Sequence, residues 1–278
     1  MAAFAFPSLD PVAFHLGPLA VRWYGLAYMV GFLAGWLILT RLDERWGLGL
    51  GPDGRAATVL AAVIGLIAGA RLGYVLFYGA GVYWREPVRI LQVWDGGMSF
   101  HGGLVGILLA GAWVSRRYHV PFLRLSDAGA VAAPIGLFLG RVANFINDEL
   151  WGRVTTVPWG VVFPNAAVAG TENLPRHPSQ LYEAGLEGVV LFVVMLLLVR
   201  RERPAGEITG WMLTLYAVFR IFVEFFREPD IQIGFLPGGI TMGQVLTVPV
   251  LLGGVWLLWH SRRARATEAE APIDGPGA

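Results

Sequence analysis

The feature that most constrains this chain is a series of apolar runs, each long enough to cross a lipid bilayer. A transmembrane helix needs about 20 consecutive, mainly apolar residues. The runs predict spans near residues 22–40, 56–78, 98–115, 127–147, 180–199, 208–226 and 241–260. Only 15% of the 278 residues are charged, whereas a soluble globular domain carries about 25%. We therefore predict an all-α polytopic membrane protein with about seven transmembrane helices.

The distribution of arginines predicts how the spans are oriented. All 21 basic residues are arginine, and 12 of them lie in the links that follow the first, third, fifth and seventh spans. Six lie on the other side, and Arg71, Arg141 and Arg220 fall inside the spans. Because cytoplasmic loops carry an excess of basic residues, we predict an external N-terminus and a cytoplasmic C-terminus.

The chain divides into a long membrane body and a short tail. We assign residues 1–260 to the seven-helix body, with external arm segments at about 1–21 and 79–97 and a small external head at about 148–179. A connection as long as the head is usually functional or a small domain. Residues 261–278 are polar and rich in Ala and Glu, which predicts a disordered cytoplasmic tail.

Several enzyme classes are excluded by what the sequence lacks. Cysteine is absent, so there is no disulfide, thiolate metal site or cysteine nucleophile. A Gly-x-Ser-x-Gly elbow, a Walker loop and a His-Glu-x-x-His motif are also missing, and the five histidines are scattered. Serine hydrolases, zinc proteases and NTPases are therefore excluded, and we predict neither a metal nor a cofactor.

Glycines recur in the spans at a spacing of four residues. This spacing lets helices approach closely in lipid, so we interpret it as packing and not catalysis. Two groups are pairs, Gly31/Gly35 and Gly136/Gly140, and one is a triplet, Gly65/Gly69/Gly73.

The strongest polar cluster lies where the fourth span meets the outer leaflet. In a helix, Arg141, Asn144, Asp148 and Glu149 would share one face. A guanidinium is a planar fork of donors suited to a phosphate, and Glu149 can orient the arginine or accept a proton. The alternative is a salt bridge that holds the end of a helix.

A second polar stripe runs along the sixth span. Tyr216, Arg220, Glu224 and Arg227 follow at offsets of four, four and three, and so lie on one face of an otherwise apolar helix. Arg220 is in mid-span and must face the bundle interior or a wet cavity. An internal ion pair that fixes helix register is the alternative, and Arg227 could simply extend to the interface.

Three further motifs open spans. His101 lies between glycine pairs, where backbone is accessible to a ligand and a histidine is suited to proton transfer; a buried hydrogen-bonding histidine is the alternative. The run from His177 to Glu183 is typical of helix capping, which we favour for it over a role in a site. Tyr24 lies in an Arg-Trp-Tyr-Gly run that suits either an aromatic belt or a pocket wall.

Two arginines within the membrane, on different helices, indicate an anionic group held at bilayer depth. A phospholipid phosphate is the obvious candidate, because paired guanidiniums bind it and stabilise the charge on a leaving phosphate. The residues alone therefore favour a membrane enzyme that acts on an anionic lipid. A transporter or flippase for an anionic lipid and a non-catalytic scaffold are the rival classes.

The sequence closely resembles the bacterial phosphatidylglycerol:prolipoprotein diacylglyceryl transferase family, from about residue 7 to residue 260. Five motifs carry the resemblance, in the order of the family: Arg22-Trp23-Tyr24-Gly25; His101-Gly102-Gly103; Gly140-Arg141-x-x-Asn144-Phe145-Ile146-Asn147-x-Glu149-x-x-Gly152; His177-Pro178-Ser179-Gln180-Leu181-Tyr182-Glu183; and Arg220-x-x-x-Glu224-Phe225-x-Arg227-x-Pro229. Together they are far more specific than any one alone.

The resemblance implies an activity. Such enzymes move the sn-1,2-diacylglyceryl group of phosphatidylglycerol to the lipobox cysteine of a prolipoprotein, which forms a thioether, releases glycerol 1-phosphate and begins lipoprotein maturation. The partners would be phosphatidylglycerol, a prolipoprotein signal peptide and the bilayer, with no nucleic acid. The protein would lie in the bacterial cytoplasmic (inner) membrane, with its active site near the outer leaflet.

The resemblance also implies roles for residues. Arg141 and Arg220 would hold the lipid's phosphate and glycerol head, and His101 would either take the proton of the thiol or only orient the thiol. We predict as catalytic residues His101, Arg141, Arg220, Glu149 and Glu224. We predict as substrate-binding residues Tyr24, Asn144, Gly102, Gly103, Tyr216, Arg227, Asn147, Gly152 and His177.

Overall fold

The structure is a computed structural model that describes residues 3–79, 81–168, 174–229 and 234–270. Most of these residues lie in helices. In chain order the helices are α1 (Trp23–Trp46), α2 (Gly51–Tyr78), α3 (Val82–Arg85), α4 (Phe100–Tyr118), α5 (Phe122–Ile146), α6 (Pro164–Val168), α7 (Ser179–Glu183), α8 (Leu191–Val199), α9 (Glu207–Glu224) and α10 (Met242–Glu270). A π-helical segment, Ala184–Val190, joins α7 to α8 without a break.

A long helical segment lies at each of the seven predicted spans, and the prediction of an all-α polytopic membrane protein is confirmed. Five helical segments are long and apolar enough to cross a bilayer: Trp23–Trp46, Gly51–Tyr78, Phe122–Ile146, Ser179–Val199 and Met242–Arg265. Helices α4 and α9 are not among them. Charged residues in α9, and glycines and terminal arginines in α4, make both less apolar. The count of seven spans therefore stays a prediction.

The chain forms two compact units. The first comprises Met1–Ala34 and Gly129–Ala278, and the second comprises Gly35–Ala128. In the second unit α2 and α4 approach each other through the glycines that the spacing predicted. A Cβ added at Gly69 would overlap the carbonyl oxygen of Gly102, and one added at Gly106 would overlap that of Gly65. The interpretation of Gly65 and Gly69 as packing residues is confirmed.

Arg71 of α2, also in the second unit, organises the predicted arm segment 79–97. After α3 this segment forms two short 3₁₀ turns, Pro87–Leu91 and Val93–Asp95. The buried guanidinium of Arg71 donates to the backbone carbonyl oxygens of Arg89, Ile90, Gly96 and Gly97. These bonds satisfy the arginine without a carboxylate, so we assign Arg71 a structural role.

Short strands in the first unit were not predicted from the sequence. A three-stranded sheet has the order β1 (Phe4–Ala5), β4 (Val161–Val162) and β5 (Pro175–Arg176), with β1 parallel and β5 antiparallel to β4. Antiparallel pairs are formed by β2 (Val12–Leu16) with β3 (Leu19–Arg22) and by β6 (Phe235–Leu236) with β7 (Ile240–Thr241). Strands of two to five residues are too short to show the alternation that marks a strand in a sequence.

The sheet ties the N-terminal arm to the predicted head. Phe4 lies opposite Val161, and Phe6 packs against the buried ring of Phe163. Phe145 and Trp151 complete the same small apolar core. The described part of the predicted head therefore packs against the N-terminal arm and the end of α5.

The C-terminal end differs from the prediction. Helix α10 continues to Glu270, beyond residue 260, where we expected the body to end and a disordered tail to begin. The extension consists mainly of Ala, Arg and Glu, which are good helix formers. The rest of the predicted tail, residues 271–278, lies outside the described residues.

Candidate functional site

The polar centre of the first unit is a buried carboxylate that binds three arginines. Glu183, whose side chain is 1% exposed, forms an ion pair with Nε of Arg141 on α5. Its Oε1 accepts from Nη1 of Arg220, at 2.7 Å, and from Nη1 of Arg227, at 3.3 Å. Two predicted catalytic arginines from different helices therefore share one counter-ion, and we call Arg141, Arg220, Arg227, Glu183 and Glu224 the arginine cluster.

The start of α7 is fixed to the chain that follows α5, which places Glu183 in the cluster. The hydroxyl of Ser179 donates to the carbonyl oxygen of Leu150 at 3.1 Å. The amide of Gln180 donates to the carbonyl oxygen of Glu149 at 2.7 Å. The sequence favours capping for this motif, but the helix start has no side-chain cap hydrogen bond. Glu183 binds arginines instead, so the capping interpretation of Glu183 is wrong.

Helix α9 supplies the second carboxylate of the cluster. Glu224 pairs with Arg220 one turn earlier, as the spacing predicted, and its Oε2 accepts from the hydroxyl of Thr241 at 2.7 Å. Gly243 lies so close that a Cβ there would overlap the Glu224 carboxylate. Tyr216 lies one further turn back on the same helix. The predicted stripe of α9 is thus present and faces the cluster.

A hydrogen-bonded chain continues from Arg141 to Tyr24. Nη1 of Arg141 donates to Oδ1 of Asn144 at 3.4 Å. Nδ2 of Asn144 donates to the hydroxyl of Tyr24 at 2.6 Å and to Oε1 of Glu149 at 2.8 Å. Asn147 donates to the same Glu149 oxygen at 3.3 Å. The structure therefore brings together five predicted site residues on one side of the cluster.

Asp148 does not lie on this polar face, because α5 ends at Ile146. Asp148 has a left-handed backbone, with φ of 53°, and its Oδ2 accepts from the backbone N–H of Asn165 at 2.7 Å. Burial raises the pKa of the Asp148 carboxyl above its ordinary value. The expectation of a helical face through Glu149 is therefore wrong at Asp148, which stabilises the head.

Gly152 lies where the head passes between two other segments. Its N–H donates to the carbonyl oxygen of His177 at 2.8 Å, and it forms an isolated bridge with Arg227. A Cβ at Gly152 would lie 2.5 Å from the carbonyl oxygens of His177 and Phe226. The neighbouring Arg153 donates to the carbonyl oxygen of Arg227 at 2.9 Å. Because Gly152 has no side chain, its backbone can approach these segments closely enough to hold Arg227 in place. Substrate binding by Gly152 stays a prediction.

His177 belongs to an aromatic group beside this bridge. Its Nδ1 lies 3.0 Å from the hydroxyl of Tyr182, and the same hydroxyl accepts from Nε1 of Trp159 at 2.7 Å. The tyrosine hydroxyl can donate its hydrogen to Nδ1 of a neutral His177. Burial lowers the pKa of His177, and a lower pKa favours the neutral ring. The histidine packs edge-on against Phe226.

His101, Gly102 and Gly103 belong to the second unit, whereas the arginine cluster lies in the first. His101 is exposed in the first turn of α4, which Ser99 caps by accepting from the N–H of Gly102 at 3.3 Å. Gly102 faces α2, and a Cβ at Gly103 would overlap a methyl of Leu66. Their roles toward a substrate stay predictions.

Glu183 and Glu187 are not among the site residues predicted from the sequence. Both lie in the fifth span, four residues apart, and the sequence contained the signal: ionisable groups within an apolar span are rare and functional. Within the described residues, no group of three or more acidic or histidine side chains is placed to hold a metal ion. The cluster brings together three guanidiniums, whose N–H donors suit an anionic oxygen.

Comparison with known proteins shows the family. A family model described as prolipoprotein diacylglyceryl transferase matches residues 11–260. A relative from Geobacter sulfurreducens is 52% identical over 250 residues, which cover 90% of this chain and 94% of the relative. Relatives from Rhizobium meliloti and Pseudoalteromonas atlantica are 50% and 47% identical and cover 96% and 97% of this chain, and 97% and 95% of their own lengths. All three are named phosphatidylglycerol–prolipoprotein diacylglyceryl transferase. The chain belongs to the prolipoprotein diacylglyceryl transferase family.

Proposed function

We propose that this protein transfers the sn-1,2-diacylglyceryl group of phosphatidylglycerol to the lipobox cysteine of a prolipoprotein. The observation that carries the proposal is the match, along nearly the full length of both chains, to relatives with that name. The same names do not favour a transporter or flippase. The reaction is the first step of bacterial lipoprotein maturation and releases glycerol 1-phosphate.

Arg141 and Arg220 bind the phosphate of the lipid. Both contact the two oxygens of one carboxylate, Glu183, so their guanidiniums lie within reach of a single small anion. A guanidinium has five N–H donors, and the contacts to Glu183, Asn144 and Glu224 use two from each arginine. Donors are thus left for phosphate oxygens.

The chemistry is a displacement at the carbon that carries the phosphate ester. The thiol sulfur attacks this carbon, the C–S bond forms, and the C–O bond to the phosphate breaks. The electron pair of the broken bond stays on the phosphate oxygen, where Arg141 and Arg220 stabilise the developing charge. The thiol proton passes to a base or to solvent. His101 either accepts it or orients the thiol, because nearby positive charge by itself lowers the pKa of a thiol.

The protein acts in the cytoplasmic (inner) membrane. Its apolar helices make it a multi-pass membrane protein, and the excess of arginines on alternate links orients the N-terminus outward and the C-terminus toward the cytoplasm. The arginine cluster then lies near the outer leaflet. Phosphatidylglycerol enters from the membrane, and the head at about 148–179 covers the signal peptide.

A product assay tests this function. Purified protein is incubated with phosphatidylglycerol and a lipobox peptide, and mass spectrometry follows the peptide. We expect a peptide heavier by one diacylglyceryl group, with one glycerol 1-phosphate released per thioether. A peptide with Ser in place of the lipobox Cys is the control and should stay unmodified. Lipid movement across vesicle membranes with no covalent product would contradict the proposal.

A further inference from the structure

Glu187 is a buried carboxyl group that the chemistry above does not use. Its side chain has no exposed surface. Among the described residues, neither of its carboxylate oxygens has a hydrogen-bond partner. An ionised carboxylate without partners is costly in an apolar interior, and an ionisable group within a membrane span calls for a function.

The helix is irregular at this residue. Glu187 lies in the π-helical segment Ala184–Val190, and single π-helical turns occur frequently at functional sites. The next residue, Gly188, fixes the segment against α5, because a Cβ there would lie 2.6 Å from the Cβ of Phe138. The backbone around Glu187 is therefore held close to the helix that carries Arg141.

Titratable groups lie on the three elements that surround Glu187. They are Glu183 on its own helical segment, Arg141 on α5, and Arg220, Tyr216 and Arg227 on or just after α9. Glu149, by contrast, is hydrogen-bonded to the amides of Asn144 and Asn147. Glu187 lies four residues after Glu183 on one continuous helical run. Its neighbour Gly188 packs on Phe138, three residues before Arg141 on α5, so Glu187 lies beside the arginine cluster.

The charge count suggests what this carboxyl does. The arginine cluster holds three cations and two carboxylates, a net charge of +1. An ionised Glu187 brings the total to zero, whereas a protonated Glu187 leaves +1. A phosphodiester carries one negative charge, so it neutralises the cluster when Glu187 is protonated. When Glu187 is ionised, the cluster has no net charge left to neutralise.

We propose that Glu187 is a positioning residue that takes up a proton when the arginine cluster binds the phosphate of an anionic lipid. Without lipid the ionised carboxylate balances the third arginine; with lipid the phosphate replaces it and Glu187 is neutral. The inference rests on the proposed function, because it needs an anionic lipid at Arg141 and Arg220. Lipid and proton binding are then linked, and each strengthens the other.

Binding of phosphatidylglycerol, measured without peptide, tests the link. In detergent we expect the affinity of the wild-type protein to fall on the order of tenfold between about pH 6 and about pH 9, a typical strength for such coupling. Glu187→Gln is permanently neutral and should bind at both pH values as tightly as the wild type does at about pH 6. Glu207→Gln is the control: Glu207 is buried, but pairs with Arg203. Its binding should follow the wild type.

The same pH dependence in wild-type protein and Glu187→Gln would overturn the proposal, as would loss of binding by folded Glu187→Gln at both pH values. A second measurement needs no variant. Calorimetry of lipid binding at about pH 8, in buffers with different ionisation enthalpies, should show uptake of up to one proton per lipid. Binding without proton uptake would also overturn it.

These results can be told apart from failure of the proposed function. Thioether formation together with pH-independent binding would leave the transferase in place and remove the role of Glu187. Proton-linked lipid binding with no thioether from a competent peptide would support Glu187 and remove the transferase.

Discussion

At the scale of single residues, Glu183 joins three arginines of the site. It binds Arg141, Arg220 and Arg227 at once, so a single carboxylate sets the spacing of the cations that we propose hold the lipid phosphate. A buried ion pair is costly to desolvate, and its cations become far more costly when the shared anion is removed. Such a residue fixes arrangement more than it adds stability.

The substitution Glu183→Gln tests this role. Removing one partner from a buried pair costs about 3–5 kcal/mol, so we expect a lower unfolding temperature in detergent. We also expect transfer activity to fall by roughly 10²-fold or more, because displacement of a positioning group by about 1 Å is enough for a loss of that size. Scanning calorimetry and the thioether assay measure the two effects. Glu207→Gln should change neither by as much; equal effects of the two variants would argue against a shared counter-ion.

His177 predicts a pH dependence of stability. Burial lowers its pKa below the ordinary value of about 6.5, so the unfolded chain binds more protons near and below that pH. The free energy of unfolding contributed by the neutral ring is therefore present above pH 6.5 and falls as the pH drops through it. Between about pH 7.5 and about pH 5.5, the wild-type unfolding temperature should therefore fall further than that of His177→Gln. Asp148 titrates in both proteins, so its contribution cancels when the two are compared. The same pH dependence of the unfolding temperature in both proteins would contradict a neutral His177.

The residues of the site were partly predictable from the sequence. Arg141, Arg220 and Glu224 were accessible because charge in an apolar span is conspicuous. Asn144 and Glu149 were accessible because they follow Arg141 in the same polar run. Glu183 was missed because it follows Pro178 and Ser179, a run that equally fits helix capping. What could not be predicted is which cation each carboxylate meets, since Glu183 and Arg220 are 37 residues apart and meet only through tertiary packing.

Among the elements, contact between α2 and α4 depends on glycines. In lipid, helices associate through close packing of small residues and not through the hydrophobic effect. Gly106 faces the carbonyl oxygen of Gly65, and Gly102 faces that of Gly69. The sequence predicted this packing because a spacing of four residues is a local pattern, which can be recognised without knowing the fold.

The substitution Gly106→Ala should force α2 and α4 apart. The added methyl overlaps backbone, which cannot move as a flexible side chain can, and overpacking of this kind costs typically about 1–3 kcal/mol. We expect a lower unfolding temperature in detergent. Gly253→Ala in α10 is the matched control, since a Cβ there meets nothing within 4 Å; it should be neutral or stabilising by up to about 1 kcal/mol. An unfolding temperature of Gly106→Ala no lower than that of Gly253→Ala would contradict the proposed packing.

Other elements left no readable pattern in the sequence. The strands that join residues 4–5 to 161–162 are two residues long, and a period of two cannot be detected over two residues. The π-helical segment Ala184–Val190 lies in an apolar run that would equally fit a regular α-helix. Both features depend on partners distant in sequence, the head in the first case and Phe138 of α5 in the second.

For the molecule as a whole, the order of the motifs was the most informative property of the sequence. Hydropathy predicted a polytopic helical membrane protein, and five motifs in family order predicted the family, which comparison along residues 11–260 confirms. The division into two units was not predicted, because neither composition nor hydropathy changes at residues 34–35 or 128–129. His101 and the arginine cluster consequently lie in different units.

Diacylglyceryl transfer by Arg141→Ala and Arg220→Ala most directly tests whether the arginine cluster performs the reaction. Each variant is purified, shown to be folded by its unfolding temperature, and assayed by mass spectrometry with phosphatidylglycerol and a lipobox peptide. Arg201→Ala, at an exposed position outside the spans, is the control and should retain wild-type activity. Because each arginine would stabilise charge on the leaving phosphate, we predict that either substitution lowers kcat/KM by about 10²–10³-fold or more. Near-normal thioether formation by a folded Arg141→Ala or Arg220→Ala would contradict the proposed site.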